Sequence, residues 1–157
     1  MKRFLAAVVW VLSAGLLSNQ IARGLPRRFR PDRFPFRAYR FERDGSFYDA
    51  FAIRAWKSRV PDMSKYLPWL PGKSVSREST AEDTELLIQE TCVSELIHLV
   101  LVLVSFGVLL FWRGPGAAAF LLFYNVLGNL PYLMIQRYNR PRLVRLAQKQ
   151  RKSGNFA

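Results

Sequence analysis

The sequence predicts an all-α membrane protein: an N-terminal hydrophobic helix plus an antiparallel transmembrane helix hairpin, with an irregular basic interfacial region between them. Three observations carry that fold class. Residues 4–21, 96–112 and 117–135 form runs of 18, 17 and 19 residues without Asp, Glu, Lys or Arg, close to the roughly 20 that cross a bilayer as helix. Only the tetrapeptide "RGPG" (residues 113–116) separates the second run from the third, so their helices must fold back on each other. The rest of the chain is basic, with 24 Lys and Arg against 11 Asp and Glu and a formal charge of +13.

Backbone in hydrocarbon has no water to bond to, so each run must satisfy its own hydrogen bonds as helix. A soluble nucleic-acid binder could carry the charge but not the three runs. The basic residues flank membrane segments, which makes anionic lipid or a phosphorylated substrate the expected partner and nucleic acid an unexpected one. The 157 residues allow one domain of ordinary size. They divide into an N-terminal anchor or signal-like segment (1–22), a basic aromatic-rich interface region (23–84), the helix hairpin (85–138) and a basic C-terminal tail (139–157).

Each segment has a physical reading. "MKR" followed by "FLAAVVWVLSAGLL" has the shape of a signal sequence, but "SNQIARG" offers no small-residue cleavage pattern, which favours an uncleaved anchor. Residues 23–45 interleave Arg with Phe, Tyr and Pro, a composition suited to the headgroup level. "SFYDAFAIRAWKSRVPD" reads as a short amphipathic helix or strand-like piece ending before Pro61. "KYLPWLPGKSVSREST" reads as loop, with Trp69 an interface anchor. In "STAEDTELL", Ser79 or Thr80 caps a helix whose first turn is acidic and which runs to about residue 112.

Counting charges gives the topology. Fourteen Lys and Arg lie between the first and second runs, seven follow residue 135, one stands in the hairpin turn and two precede residue 4. The positive-inside rule therefore puts residues 23–90 and the C-terminal tail in the cytoplasm of an integral protein of the cell membrane, with "MKR" and "RGPG" outside. Cys92 is the lone cysteine, so neither an intramolecular disulfide nor a CxxC metal site is expected.

Chemistry is expected where polar groups enter the apolar runs. On a helix Glu90, Thr91, Ser94, Glu95 and His98 fall within about 140° of arc. On the third helix Asn125, Asn129, Tyr132 and Gln136 fall within about 60°, with Asn139 extending the row. Antiparallel neighbours would set these stripes face to face. For Asn125 alone, helix-to-helix hydrogen bonding is a sufficient reason. Glu95 and His98, at i and i+3, form the pairing a general base needs, since a carboxylate raises imidazole basicity and selects its tautomer. His98, Glu95 and Glu90 are thus the candidate catalytic residues. "QRYNRPRLVRL" (136–146) ends the third helix. There Arg137, Arg140 and Arg142 have the planar fork that grips phosphate or carboxylate, and Tyr138 is a headgroup-level ring.

"FERDGSFYDAFAIRAWKSRVPD", "ETCVSELIH", "RGP" and "FYNVLGNLPYLMIQRYNRPRL" resemble, in order and spacing, the glycosyl-diaponeurosporenoate acyltransferase family over about residues 38–146. The resemblance implies transfer of a fatty acyl group to a sugar hydroxyl on a glycosylated carotenoid or lipid. Its partners would be a lipid-borne glycosylated acceptor and a fatty acyl donor, acyl-CoA among the candidates, with no cofactor. No GxSxG or HxxxxD motif occurs, so transfer would be direct, with His98, helped by Glu95, deprotonating the acceptor. Asn129, Tyr132 or Gln136 would bond the oxyanion, and the arginines of 137–142, flanked by Tyr138 and Asn139, would hold donor phosphates. The alternative is a non-catalytic membrane accessory or scaffold protein that binds anionic lipid, for which the same stripes would serve as helix contacts.

Overall fold

The computed structural model describes residues 1–60 and 80–154; of the loop expected at 65–80 all but Thr80 lies outside them, Trp69 and the alternative cap Ser79 included. The described residues are helical or irregular, without strands. The order is α1 (Lys2–Gly24), a kinked 3₁₀ segment (Arg40–Phe51), α2 (Ile53–Trp56) and α3 (Ala81–Ser105). A 3₁₀ turn (Phe106–Leu110) follows, then α4 (Pro115–Phe123), a π-helical segment (Tyr124–Asn129) and α5 (Leu130–Gly154). Among the described residues, three continuous helical stretches are long and apolar enough to cross a membrane: Lys2–Gly24, Ala81–Leu110 and Pro115–Ser153. The last two contain 30 and 39 residues. At 1.5 Å per residue they measure about 45 and 58 Å against a hydrocarbon slab of about 30 Å, so their polar ends stand outside it.

By internal contacts the chain forms two units, Met1–Pro26 with Val93–Met134, and Arg27–Cys92 with Ile135–Ala157. In the first unit Ala7, Val11, Val108 and Leu121 make a buried cluster, with Trp112, Phe120 and Tyr124 packed on it. Phe4 meets Trp112 and Phe120 edge-on at 6.2 and 5.9 Å, which sets the start of α1 beside the hairpin turn. Beyond Ser105 the helix tightens to 3₁₀, where i→i−3 bonding leaves carbonyls of the previous turn short of their usual donor. The Trp10 indole donates to one of them, Val104 O, at 2.9 Å. That ring lies so close to Gly107 that an added Cβ would fall 2.5 Å from it. The turn itself lies two positions earlier than "RGPG", over residues 111–114: Gly114 takes φ 101°, open to glycine at no steric cost, and Pro115 already begins α4.

The second unit is built on the polar halves of α3 and α5. Thr80 caps α3 reciprocally with Asp83: the Asp83 amide donates to Thr80 Oγ1 at 3.1 Å and the Thr80 amide to Asp83 Oδ2 at 2.8 Å. Thr84 Oγ1 donates to Gln150 Oε1 at 2.9 Å, Arg151 pairs with Glu85 at 2.7 Å, and further along α3 Thr91 Oγ1 accepts from Arg140 Nε at 2.9 Å; partners that run backward along α5 as α3 advances make the two helices antiparallel. The Gln89 amide clamps the backbone of Phe29 in both directions, at 2.7 and 3.0 Å. The sequence ends the third helix within residues 136–146, whereas α5 continues through Pro141 to Gly154. Pairing with α3 holds this extension, and no local pattern in a basic, proline-containing window announces that pairing. The amphipathic piece expected from Ser46 to before Pro61 is helical through Trp56 apart from a left-handed Ala52, and the chain reverses just before it at Arg43, Asp44 and Gly45, all with positive φ.

Candidate functional site

In the first unit the π-helical segment carries the residues that meet His98. A π-turn inserts one extra residue and shifts the register of side chains along the helix, a feature frequent at functional sites. Here it holds Asn125 and, at its end, Asn129, which is 1% exposed. His98 Nδ1 lies 3.0 Å from Asn129 Oδ1. Asn129 Nδ2 donates to Asn125 Oδ1 at 3.1 Å. Asn125 Nδ2 donates to Leu121 O at 2.9 Å and to Ser105 Oγ at 3.0 Å, while Ser105 Oγ donates to Val102 O at 2.7 Å.

This chain of bonds fixes the protonation of the imidazole by elimination. Leu121 O is a carbonyl and only accepts, so the Asn125 amide must turn its NH₂ toward it. Asn125 Oδ1 then faces Asn129 and needs a donor, which must be Asn129 Nδ2. Asn129 Oδ1 is left facing His98, so Nδ1 carries the hydrogen and donates it. In neutral His98 the basic lone pair is therefore on Nε2. Tyr132 lies flat against the imidazole, ring centroids 4.5 Å apart and planes 8° apart, which restricts rotation of the ring. Glu95 sits one turn before His98 on α3 and is 1% exposed. The structure thus brings His98, Asn129 and Tyr132 together and adds Asn125. Its signal was its place in the polar stripe, four residues before Asn129 and on the same face.

The remaining residues named from the sequence lie in the second unit. Glu90 pairs with Arg27 at 2.6 Å, and Gln136 is buried at 5% exposure. Arg140, 3% exposed, spends its fork inside the protein: Nε donates to Thr91 Oγ1 at 2.9 Å, Nη2 to Thr91 O at 3.0 Å and Nη1 to Phe36 O at 2.7 Å. Arg137 grips Glu42 with both arms, at 2.5 and 3.0 Å, and bonds the carbonyls of Pro35 and Arg37. Neither guanidinium presents an open fork to a phosphate.

Glu42, absent from the sequence expectations, is the hub of this network. It is 1% exposed and also accepts from the Tyr48 hydroxyl at 2.5 Å and the Tyr39 amide at 2.7 Å. Burial alone would raise its pKa, but the hydrogen bonds from Arg137, Tyr48 and Tyr39 outweigh it and hold the carboxyl below the usual range. Burial, then the neighbouring carboxylate, pushes the Tyr48 phenol well up. Scarcity was the available signal, since residues 23–60 contain only four acids among their many arginines.

Tyr138, 3% exposed, is ringed by cations. Arg142 Cζ lies 3.5 Å and Lys57 Nζ 4.8 Å from its ring centroid, and Arg54 Nε donates to its hydroxyl at 2.9 Å. Lys57 Nζ also donates to Asn139 Oδ1 at 3.3 Å. Among the described residues no three His, Cys, Asp or Glu gather where a metal ion could sit.

Residues 31–149 match the family model described as glycosyl-4,4'-diaponeurosporenoate acyltransferase. The protein of that name from Staphylococcus aureus strain MRSA252 is 29% identical over 153 residues, 96% of this chain and 91% of the relative. Those from strains Newman and USA300 are each 28% identical over the same lengths. No solved structure gives a significant match.

Proposed function

The chain belongs to the glycosyl-4,4'-diaponeurosporenoate acyltransferase family and is an acyltransferase; from that premise we propose that it esterifies a sugar hydroxyl of a glycosylated carotenoid or lipid, with His98 as general base. The observation that carries this reading is the bond from His98 Nδ1 to Asn129 Oδ1, because it leaves Nε2 as the proton-accepting nitrogen. Nε2 takes the acceptor's hydroxyl proton as that oxygen forms the new ester bond to the acyl carbon. The bond from the acyl carbon to the donor's leaving atom then breaks, and His98 returns the proton to that atom.

Glu95, buried on the same face of α3, stabilises the imidazolium formed in between. Asn129 acts as a positioning residue, its oxygen bonded to His98 and its nitrogen to Asn125. The Tyr132 hydroxyl, on the ring stacked against the imidazole, is the proposed oxyanion donor. Glu90 is reassigned as the counter-ion of Arg27, and Arg137 and Arg140 as internal braces. The setting is the cell membrane, where a fatty acyl donor and a lipid-borne acceptor both dissolve. An acyltransferase family leaves the scaffold alternative without support.

The test compares lipid and pigment masses of cells expressing the wild type or His98→Gln at equal abundance. Glutamine keeps a hydrogen-bonding side chain but takes no proton. A product heavier by one acyl chain should form with the wild type and fall by about 10²–10⁴ in rate with the variant. Undiminished product from His98→Gln would remove the histidine from the chemistry.

A further inference from the structure

We propose that Arg54, Lys57 and Arg142, gathered around Tyr138, form a phosphate-binding site. Arg137 and Arg140 cannot serve, since their forks are engaged with protein acceptors. The cations around Tyr138 are placed differently. The Arg54 side chain is 72% exposed and that of Arg142 32%. Both share a single carboxylate, Asp49, whose Oδ1 accepts from Arg54 Nε at 3.1 Å and whose Oδ2 lies 3.7 Å from Arg142 Nη2. Lys57 adds a third cation within 4.8 Å of the ring. Three positive groups on one negative group leave an excess of positive charge for a phosphate.

The orientation of these groups is set in advance. Tyr138 holds Arg54 through its hydroxyl and Arg142 against its ring, and its own carbonyl accepts from Arg142 Nη1 at 2.5 Å. Ordering two long side chains before a ligand arrives removes entropy that binding would otherwise cost. There is also space. Ala52 turns the chain in the left-handed conformation (φ 49°, ψ 35°), which is sterically unfavourable for alanine. The result is an open depression of about 390 Å³ lined by Asp49, Ala52, Ile53, Arg54 and Ala55. Two alanines keep it clear beside the Arg54 guanidinium. The fork of an arginine matches phosphate oxygens in pairs, and a lysine adds a point charge.

The shared chemistry is a phosphate, brought either by a soluble phosphorylated acyl donor or by a lipid headgroup. Binding can be measured without turnover, so the answer does not depend on the mechanism proposed above. Full-length protein in dodecyl maltoside is titrated calorimetrically with coenzyme A in one arm and dihexanoyl phosphatidylglycerol in the other. At least one should bind, and Arg54→Gln with Arg142→Gln should weaken it tenfold or more. Coenzyme A alone would identify a soluble donor, and phosphatidylglycerol alone a headgroup. Arg54→Gln by itself, at an exposed side chain, should give part of the loss with an unchanged unfolding temperature. Arg113→Gln with Lys152→Gln removes the same charge elsewhere and should leave affinity within twofold. Binding of neither probe, undiminished affinity in the double variant, or an equal loss in the control would each overturn the site.

Discussion

His98 and Asn129 stand 31 positions apart in the chain, and their side chains meet at 3.0 Å, Nδ1 to Oδ1. The direction of that bond is decided not at the histidine but at Leu121 O, two amides away, which admits only one orientation of Asn125 and through it of Asn129.

Asn125 should therefore matter to catalysis although it is two bonds removed from the base. In Asn125→Ala the Asn129 amide loses the acceptor that orients it, and the imidazole can take either tautomer. We expect kcat to fall about tenfold, less than the roughly 10²–10⁴ that the base itself is worth because His98 is still present, with KM unchanged. Ser105→Ala should cost less than threefold, because Leu121 O still orients Asn125. Steady-state rates in membranes at matched abundance check both, and equal losses in the two variants would contradict the relay.

Glu42 and Arg137 form an ion pair whose partners are 2% and 15% exposed at their side chains. Removing one partner leaves a charge with little water, so Glu42→Gln should destabilise by about 3 kcal/mol, read as a lowered denaturation midpoint in detergent. The carboxyl's pKa is lowered in the folded state. Its contribution is then complete above the unfolded value of about 4.3 and lost as the pH falls through the folded value. Wild type should lose stability in that acid window and Glu42→Gln should lose less.

Gly107 has no room for a side chain, since an added Cβ would sit 2.5 Å from the Trp10 ring. Gly107→Ala should lower stability by about 1–3 kcal/mol, the usual cost of overpacking. Trp10→Leu, which removes the ring, should recover most of that loss in the double variant. A double-mutant cycle by thermal unfolding gives the coupling, and additivity would show that α1 is not packed there.

Cysteine labelling tests the topology. In a Cys92→Ala background, Lys2→Cys and Arg113→Cys should label from one side of the membrane and Ser46→Cys from the other. All three residues are exposed. Phe4 against Trp112 and Phe120 requires the first two to agree, and the charge asymmetry requires the third to differ. Labelling of Ser46→Cys from the side of Arg113→Cys would reverse the assignment.

Much of this was written in the chain itself. Runs of 17 to 19 uncharged residues cannot end as anything but helix in lipid, and Gly114 and Pro115 leave no room for more than a turn between the last two. The Thr80 cap and the polar stripe holding His98, Asn129 and Tyr132 follow from local chemistry and helical period, and both are read residue by residue. Which donor meets which acceptor does not. Arg137, Arg140 and Arg142 look alike in "QRYNRPRL", yet one braces Glu42, one braces Thr91 and Phe36, and one is turned toward Tyr138 and Asp49. Their partners lie 49 to 104 positions away where hydrogen bonds join them across α3 and the 3₁₀ segment. Such pairings come from packing, because a buried guanidinium takes whatever acceptors the fold sets within reach. The tautomer of His98 has the same origin: helical period put Asn125 and Asn129 on one face, but the order of donor and acceptor among them began at a backbone carbonyl.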